Sequence, residues 1–194
     1  MRDANVAVAG PIQNAGWIGG KVLRVALGTL FLTASSWVAV PTVPVPITMQ
    51  TYAVIVVGAV FGARLGAITV LAWLTEAAIG LPVLAQGASG LAVFLGPTAG
   101  YLFSFPLAAG FVGWVLDRRS HHGIVRSFVA MLAGNAINLA LGVFWLSAAI
   151  GWRRALVVGF LPFWIGGIVK AVLATATVLL FRHSMRERFS AGSQ

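Results

Sequence analysis

The chain has 194 residues, of which 59% are hydrophobic and only 9% are charged. Soluble domains carry about 25% charged residues, so the composition indicates an integral membrane protein built as one bundle. The absence of cysteine excludes disulfides, thiol catalysis and cysteine-based metal sites. The net charge of +9 does not indicate nucleic-acid binding, because the basic residues cluster at the ends of apolar segments and form no continuous basic face.

The apolar segments, taken in chain order, predict an all-α integral membrane protein with six transmembrane helices. Residues 1–20 are Gly-rich and weakly apolar and predict an N-terminal tail, followed by a single membrane domain over 21–182 and a cytoplasmic tail over 183–194. From predicted helix 2 into helix 3, the four-residue spacing of Gly58, Gly62 and Gly66 predicts close helix packing, because small residues on one face let backbones approach. The six predicted helices are 22–40, 52–63, 65–79, 99–116, 124–150 and 156–181.

Between predicted helices 1 and 2, the segment 41–51 reads PTVPVPITMQT. Its three prolines exclude a helix and favour an extended path. Two interpretations are open: a rigid connection between helices, or a lid folded over a cavity. In the second case Thr48, Gln50 and Thr51 are the polar contacts of the lid.

Between predicted helices 3 and 4, the stretch from Gly80 to Tyr101 contains two prolines and five glycines, which exclude one continuous helix. Non-helical backbone at membrane depth persists only where it is buried in protein or lines a cavity, because lipid offers its polar groups no partners. A broken segment between spanning helices also indicates a transporter binding site. We therefore expect a re-entrant-like loop at the centre of the function.

Basic residues beside the helix ends predict the orientation. Most Lys and Arg residues fall before helix 1, between helices 2 and 3, between 4 and 5, and after helix 6, with Arg153 and Arg154 as the exceptions. This pattern predicts a multi-pass protein of the cell (inner) membrane with both termini cytoplasmic. The proline-rich loop and the broken loop then face outward.

Ionisable side chains within spanning segments are costly and indicate function by default. Glu76, Asn138 and Lys170 each lie 12 residues from the nearest cytoplasmic arginine, roughly 18 Å along a helix. That distance predicts one polar level in the outer half of a membrane core about 30 Å thick. Glu76 either neutralises Lys170 or leaves it for an anionic ligand, because a buried amine needs an anionic partner.

The remaining polar and aromatic residues have competing interpretations. Asn135 and Asn138 are candidates for hydrogen bonding between helices as well as for ligand contact. The three histidines, His121, His122 and His183, have neither the depth nor the spacing for a metal site, and no cofactor is expected. No phosphate-binding Lys-Ser/Thr motif is present, so ATP hydrolysis would require another subunit. The predicted apolar wall of the pocket comprises Trp73, Phe94, Tyr101, Phe163 and Trp164.

Three motifs, VPVPITMQT (43–51), GLPV (80–83) and GPTAGYL (96–102), together with the six-span layout, resemble a known family. It is the BioY family, the biotin-specific substrate-capture (S) subunits of energy-coupling factor transporters, and the resemblance covers about residues 21–181. It implies a membrane protein that binds biotin, its transported ligand, in an outward-facing pocket. It also implies as partners a transmembrane coupling subunit and a pair of ABC-type ATPases, and leaves a homo-oligomer possible.

The resemblance also implies site residues. Lys170 matches the lysine of the sixth helix, which is implied to bind the biotin carboxylate, and Gln50 matches the glutamine of the lid. Gln86 lies in the ligand-contacting loop between the third and fourth helices. The pair Gly166-Gly167 departs from the family's usual Gly-Asp, so Glu76 is the only buried acidic candidate left for Lys170. The predicted ligand-binding residues are Lys170, Gln50, Gln86, Glu76, Tyr101, Asn138 and Thr48.

The sequence thus predicts a membrane-embedded biotin-binding subunit rather than an enzyme. Within transport, the alternative ligand is another small apolar carboxylic acid. From other classes, an intramembrane enzyme would have to use Glu76 and Lys170 as its acid–base pair, and a structural membrane-assembly protein would bind no ligand.

Overall fold

The computed structural model describes the backbone of residues 11–118 and 123–191 and the side chains of 19–118, 123–181, 183 and 184. Parts of the two predicted tails (1–10 and 192–194), together with His121 and His122, lie outside these residues. Six labelled helices and one small ribbon make up the fold: α1 Pro11–Trp37, β1 Ala39–Val40, β2 Ile47–Thr48, α2 Gln50–Ala78, α3 Ala99–Asp117, α4 Ile124–Ile150, α5 Trp152–Ala155 and α6 Trp164–Ala191. Two short 3₁₀ turns, Ala85–Gly87 and Leu91–Leu95, lie between α2 and α3, and a π-helical turn, Leu156–Phe160, follows α5.

The first helix is longer at its start and shorter at its end than the sequence predicted. It begins at Pro11 rather than at residue 22, and proline suits a first turn because the N–H it lacks has no helical partner there. It ends at Trp37 because the next residues enter a two-stranded antiparallel ribbon, with Ala39 opposite Thr48. This ribbon ties together the two ends of the proline-rich segment, whose bond between Val43 and Pro44 is cis.

Helix α2 reverses direction at Gly62, which has φ 81° and ψ 177°. A Cβ on Gly66 would lie 2.9 Å from the Cα of Gly58, whereas residues eight apart in a continuous helix are about 12 Å apart. Residues 50–61 and 63–78 therefore form a helical hairpin. The interruption that the sequence predicted at Arg64 lies two residues earlier, because glycine tolerates this positive φ.

The new helix that starts after the reversal is capped by a carboxylate from α3. The N–H of Ala63 donates a hydrogen bond of 2.9 Å to Oδ2 of Asp117, which meets one of the unpaired N–H groups of a helix start. Gly58 packs against the backbone of Ala109, and Gly113 packs against the backbone at Gly62. The close packing predicted from the glycine spacing is confirmed at Gly58 and Gly66, while Gly62 makes the turn.

Two buried clusters join the helices around this hairpin. Residues such as Val54, Trp73 and Phe105 form one with Leu32 of α1. The other brings Ile55 and Met131 together with Ala171 of α6, so that the first half of α2 lies between α3, α4 and α6. This arrangement carries the start of α2 to the middle of the bundle.

The stretch from Gly80 to Tyr101 breaks the helical path, as the sequence predicted. Only the two short 3₁₀ turns interrupt its irregular course before α3 begins at Ala99. Tryptophans from α1, α2 and α4 fasten it by donating indole N–H bonds to its carbonyls: Trp37 to Pro82 (3.3 Å), Trp73 to Val83 (3.3 Å) and Trp145 to Gly96 (3.1 Å). The loop is therefore held by three helices.

Within the described residues, four helices are long and apolar enough to cross a membrane. They are Gln50–Ala78, Ala99–Asp117, Ile124–Ile150 and the stretch Trp164–Phe181 of α6. The protein is thus a helical membrane protein, with the two-residue strands as its only described β-structure.

Candidate functional site

A cavity of about 480 Å³ lies between the proline-rich segment, α3, α4 and α6. Its lining is drawn from residues 45–51, the first half of α3, the middle of α4 and the stretch 160–170. This volume is in the range of small-molecule sites, which are mostly apolar with a few placed polar groups. The proline-rich segment therefore forms one wall of a cavity, as the lid interpretation expected.

Lys170 is the charged group of this cavity. Its side chain is only 8% exposed, and its Nζ donates a hydrogen bond of 3.1 Å to Oγ1 of Thr51 at the start of α2. In the part of the chain that the structure describes, no carboxylate forms a salt bridge with it. A buried ammonium held only by a neutral hydroxyl is poorly compensated.

Glu76 does not supply the missing charge, so the structure does not show the first of its two alternatives, pairing with Lys170. It lies near the end of the second half of α2, on a segment whose Trp73 and Ala77 pack into the core cluster with α1 and α3. It neither lines the cavity nor pairs with Lys170. The number of residues from Arg64 predicts how far along the helix Glu76 lies, but not toward which neighbouring helices its side chain is directed.

Gln50 and Thr48 form a linked pair at the lid end of the cavity. The backbone N–H of Gln50 donates to Oγ1 of Thr48 (3.3 Å), and the Thr48 hydroxyl donates to Oε1 of Gln50 (3.0 Å). Both residues are buried and line the cavity, as predicted. Thr48 thereby fixes the amide of Gln50, whose Nε2 is buried without a hydrogen-bond partner among the described residues.

Asn135 and Asn138 both line the cavity and also link α4 to its neighbours. Nδ2 of Asn135 donates to the carbonyl of Gly167 in α6 at 3.2 Å. Nδ2 of Asn138 donates to the carbonyl of Tyr101 (3.1 Å) and to Oγ of Ser104 (2.6 Å), both in α3. The predicted hydrogen bonding between helices and the predicted place in the pocket therefore occur together.

Tyr101 forms part of the apolar wall. Its hydroxyl donates to the carbonyl of Gly159 (2.9 Å), and its ring lies 6.2 Å from that of Phe163. The ring packs directly on Gly142 of α4, where any side chain would overlap it. Phe163 and Trp164 also line the cavity, as predicted.

Besides Glu76, three further predicted residues lie outside the cavity. Trp73 is fully buried in the core beside Phe105, and Phe94 packs at 5.9 Å from Phe103, so neither lines the cavity. Gln86 is exposed, in a 3₁₀ turn at φ 58°, and is also outside the lining. The broken stretch contributes only its last part to the lining, through Thr98 and Tyr101.

Several apolar residues of the lining were not predicted from the sequence, among them Leu132 and Leu139 of α4. They lie three to four residues from Asn135 along α4, and helical periodicity from that asparagine could have found them. No group of three His, Asp or Glu side chains suited to a metal ion occurs in the described part of the chain. The site is built for an organic ligand with a hydrophobic body and a few polar atoms.

Comparison with known proteins identifies the family to which this fold belongs. The family whose model matches the chain is the BioY family, over residues 12–187. The chain is 41% identical over 141 residues to the biotin transporter BioY of Rhizobium etli, covering 68% of this chain and 75% of the relative. It is 32% identical over 169 residues to the biotin transporter BioY of Thermotoga maritima, covering 87% and 99%.

A solved structure agrees with these relatives. The crystal structure of the S-component for biotin from an ECF-type ABC transporter is 27% identical and matches with a TM-score of 0.77. The match covers 91% of this chain and 95% of that one. The protein described here is therefore a member of the BioY family.

Proposed function

We propose that this chain is the membrane-embedded subunit that captures biotin for import by partner subunits. The observation that carries the proposal is Lys170, a buried cation in an otherwise largely apolar cavity of a BioY-family chain. The relatives named above are biotin transporters, and the similar solved structure is an S-component for biotin. Biotin combines the carboxylate and the apolar body that such a cavity would accept.

In this proposal the biotin carboxylate binds at Lys170. The ammonium has only the Thr51 hydroxyl as a described partner, so an anion gains a charge-assisted hydrogen bond there. Gln50 Nε2 is enclosed and has no described partner, so a lid that closes around the ligand would let it donate to a ligand oxygen as a second donor. The ring of Tyr101 and the side chain of Phe163 then cover the apolar part of the ligand.

The proline-rich segment acts in this proposal as the lid of the pocket. It contributes Val45, Pro46 and Thr48 to the lining, and the ribbon of β1 and β2 holds its two ends together. Proline restricts the unbound conformations of the segment, so that little ordering entropy remains to be lost on binding. Gln50 would therefore slow the escape of biotin more than it speeds its entry.

The proposed membrane arrangement has six spans in one domain of about residues 21–182. The reversal at Gly62 makes two antiparallel helices of α2, which with α1, α3, α4 and α6 gives six segments. Basic residues at the ends of these segments favour cytoplasmic termini and an outward-facing lid. We further propose a transmembrane coupling subunit and a pair of ABC-type ATPases as partners, because the chain carries no phosphate-binding motif of its own.

A second candidate ligand is another small apolar carboxylic acid, because Lys170 and the aromatic wall require only an anion with a hydrophobic body. An intramembrane enzyme is disfavoured, since Glu76 and Lys170 do not meet and the chain belongs to a family of transporters. The test is equilibrium binding of labelled biotin to detergent-purified protein without ATP. Saturable binding that octanoate does not displace is expected, and equal binding of octanoate would contradict the assignment of biotin.

A further inference from the structure

The two asparagines of α4 have amide orientations that their partners dictate. The carbonyls of Gly167 and Tyr101 only accept hydrogen bonds, so the amide atoms that contact them must be NH₂ groups. Ser104 donates its own hydroxyl proton to the carbonyl of Tyr101 (2.6 Å), so its oxygen accepts from Asn138. The Nδ2 atoms of both asparagines are therefore directed at the flanking helices.

The oxygens of these amides are thus the atoms left for the cavity. Neither Oδ1 accepts a hydrogen bond from any residue that the structure describes. Both oxygens keep some solvent-accessible surface, whereas Gln50 Nε2 and Ser127 Oγ, which also lack described partners, are fully enclosed. Asn135 is 7% exposed, Asn138 is 4% exposed and both line the cavity, which indicates that their free oxygens face it.

We propose that Asn135 and Asn138 form a two-acceptor wall that selects ligands carrying two N–H donors, and that the ureido ring of biotin binds there. This inference rests on the proposed function, because it assumes that biotin occupies the cavity. Helix α4 then recognises the uncharged end of the ligand. The ammonium of Lys170 only donates, so it cannot accept from an N–H group and serves the ligand's oxygens instead.

The spacing of the two asparagines suits a cyclic urea. Residues three apart on a helix lie on one face with Cβ atoms about 5–6 Å apart. The two N–H groups of a five-membered cyclic urea diverge from its two sides, so that one can reach each oxygen. A buried acceptor left facing an ether oxygen of a ligand would lose a hydrogen bond and gain a repulsive contact.

The test is a ligand series on the unmodified protein in detergent, measured by competition with labelled biotin. Two carbamate analogues, in which one or the other ureido N–H is replaced by oxygen, are compared with desthiobiotin, which keeps both N–H groups. We expect each carbamate to bind about 10- to 100-fold more weakly than biotin and desthiobiotin to bind within about tenfold of it. A carbamate that binds within threefold of biotin would overturn the two-acceptor assignment.

Variants then locate the acceptors. In Asn135→Ala and in Asn138→Ala, one of the two carbamates should bind as well as biotin does. The other carbamate should still bind more weakly than biotin, because its acceptor is intact. Lys170→Met is the matched control, since it should weaken biotin and both carbamates by the same factor and keep their ratios. Unchanged discrimination between the carbamates in a folded asparagine variant would place the acceptor elsewhere and refute the inference. If a variant does not fold, the ligand series on the unmodified protein still tests whether two N–H groups are required. Absence of any biotin binding would instead refute the proposed function.

Discussion

Replacement of Lys170 by methionine is the perturbation whose outcome the structure determines most fully. Methionine keeps the length of the side chain and removes its charge. Lys170 is 8% exposed, and its ammonium has one described hydrogen bond, to the neutral hydroxyl of Thr51 at 3.1 Å. If the biotin carboxylate binds there, the variant leaves that carboxylate buried without a partner.

The expected loss follows from the burial of the pair. Removing one partner of a buried charge pair costs roughly 3–5 kcal/mol, which corresponds to about two to four decades in the dissociation constant. Without biotin the variant should be at least as stable as the original protein, because it no longer buries a poorly compensated cation. Loss of binding can therefore be separated from loss of fold.

The assay combines equilibrium binding of labelled biotin with thermal unfolding in the same detergent. Thr51→Val is the matched control, because it removes the hydroxyl but keeps the ammonium, and about 1 kcal/mol, or less than tenfold in affinity, is expected. Near-normal biotin binding by a folded Lys170→Met protein would refute the role of Lys170. An equal loss in both variants would show that the position of the side chain matters rather than its charge.

Three further changes test other parts of the site. Gln50→Ala removes the unpartnered buried donor of the lid and should speed biotin release about tenfold in a stopped-flow displacement; an unchanged release rate would count against the lid. Gly167→Asp should tighten binding by about 1–2 kcal/mol, because the nearest atom to an added Cβ is 3.9 Å away and no carboxylate in the described part of the chain pairs with Lys170. Weaker binding in a titration would show that the added charge repels the ligand. Gly142→Ala should cost about 1–3 kcal/mol of stability, because the added methyl group displaces the ring of Tyr101. The control, Gly166→Ala, has no atom within 4 Å of the added methyl group and should stabilise the helix by up to about 1 kcal/mol. Equal melting temperatures for the two variants would contradict the packing argument.

The sequence was sufficient to predict features that depend on composition and on backbone chemistry. Three prolines in 41–51 and the glycines and prolines of 80–101 cannot continue a helix, so both interruptions were foreseeable. The level of Lys170 and Asn138 was also foreseeable, because distance along a helix follows from its rise. Both residues do line one cavity.

The direction in which a helix faces was not predictable in the same way. After the reversal at Gly62, the helix that carries Glu76 packs against α1 and α3, and Glu76 does not pair with Lys170. The glycine spacing predicted close packing, yet nothing in that spacing distinguishes Gly62, which makes the turn, from Gly58, which packs. Residue-level assignments that rested on helix orientation therefore needed the tertiary structure.

Assignments taken from loop motifs had a similar limit. Gln86 lies in the stretch that the motifs identified, but its turn exposes the side chain. Gln50, by contrast, begins α2, where the hydroxyl of Thr48 fixes its amide at the cavity. The difference is that hydrogen bonds to a rigid element position one glutamine and not the other.

A crystal structure of this protein grown with biotin would show directly whether Lys170 binds the carboxylate of the ligand. We expect one biotin in the cavity, with its carboxylate about 2.7–2.9 Å from Nζ of Lys170 and its ureido N–H groups facing Asn135 and Asn138. Biotin bound outside the cavity, or with its carboxylate directed away from Lys170, would show that this buried lysine does not bind the charged end of the ligand.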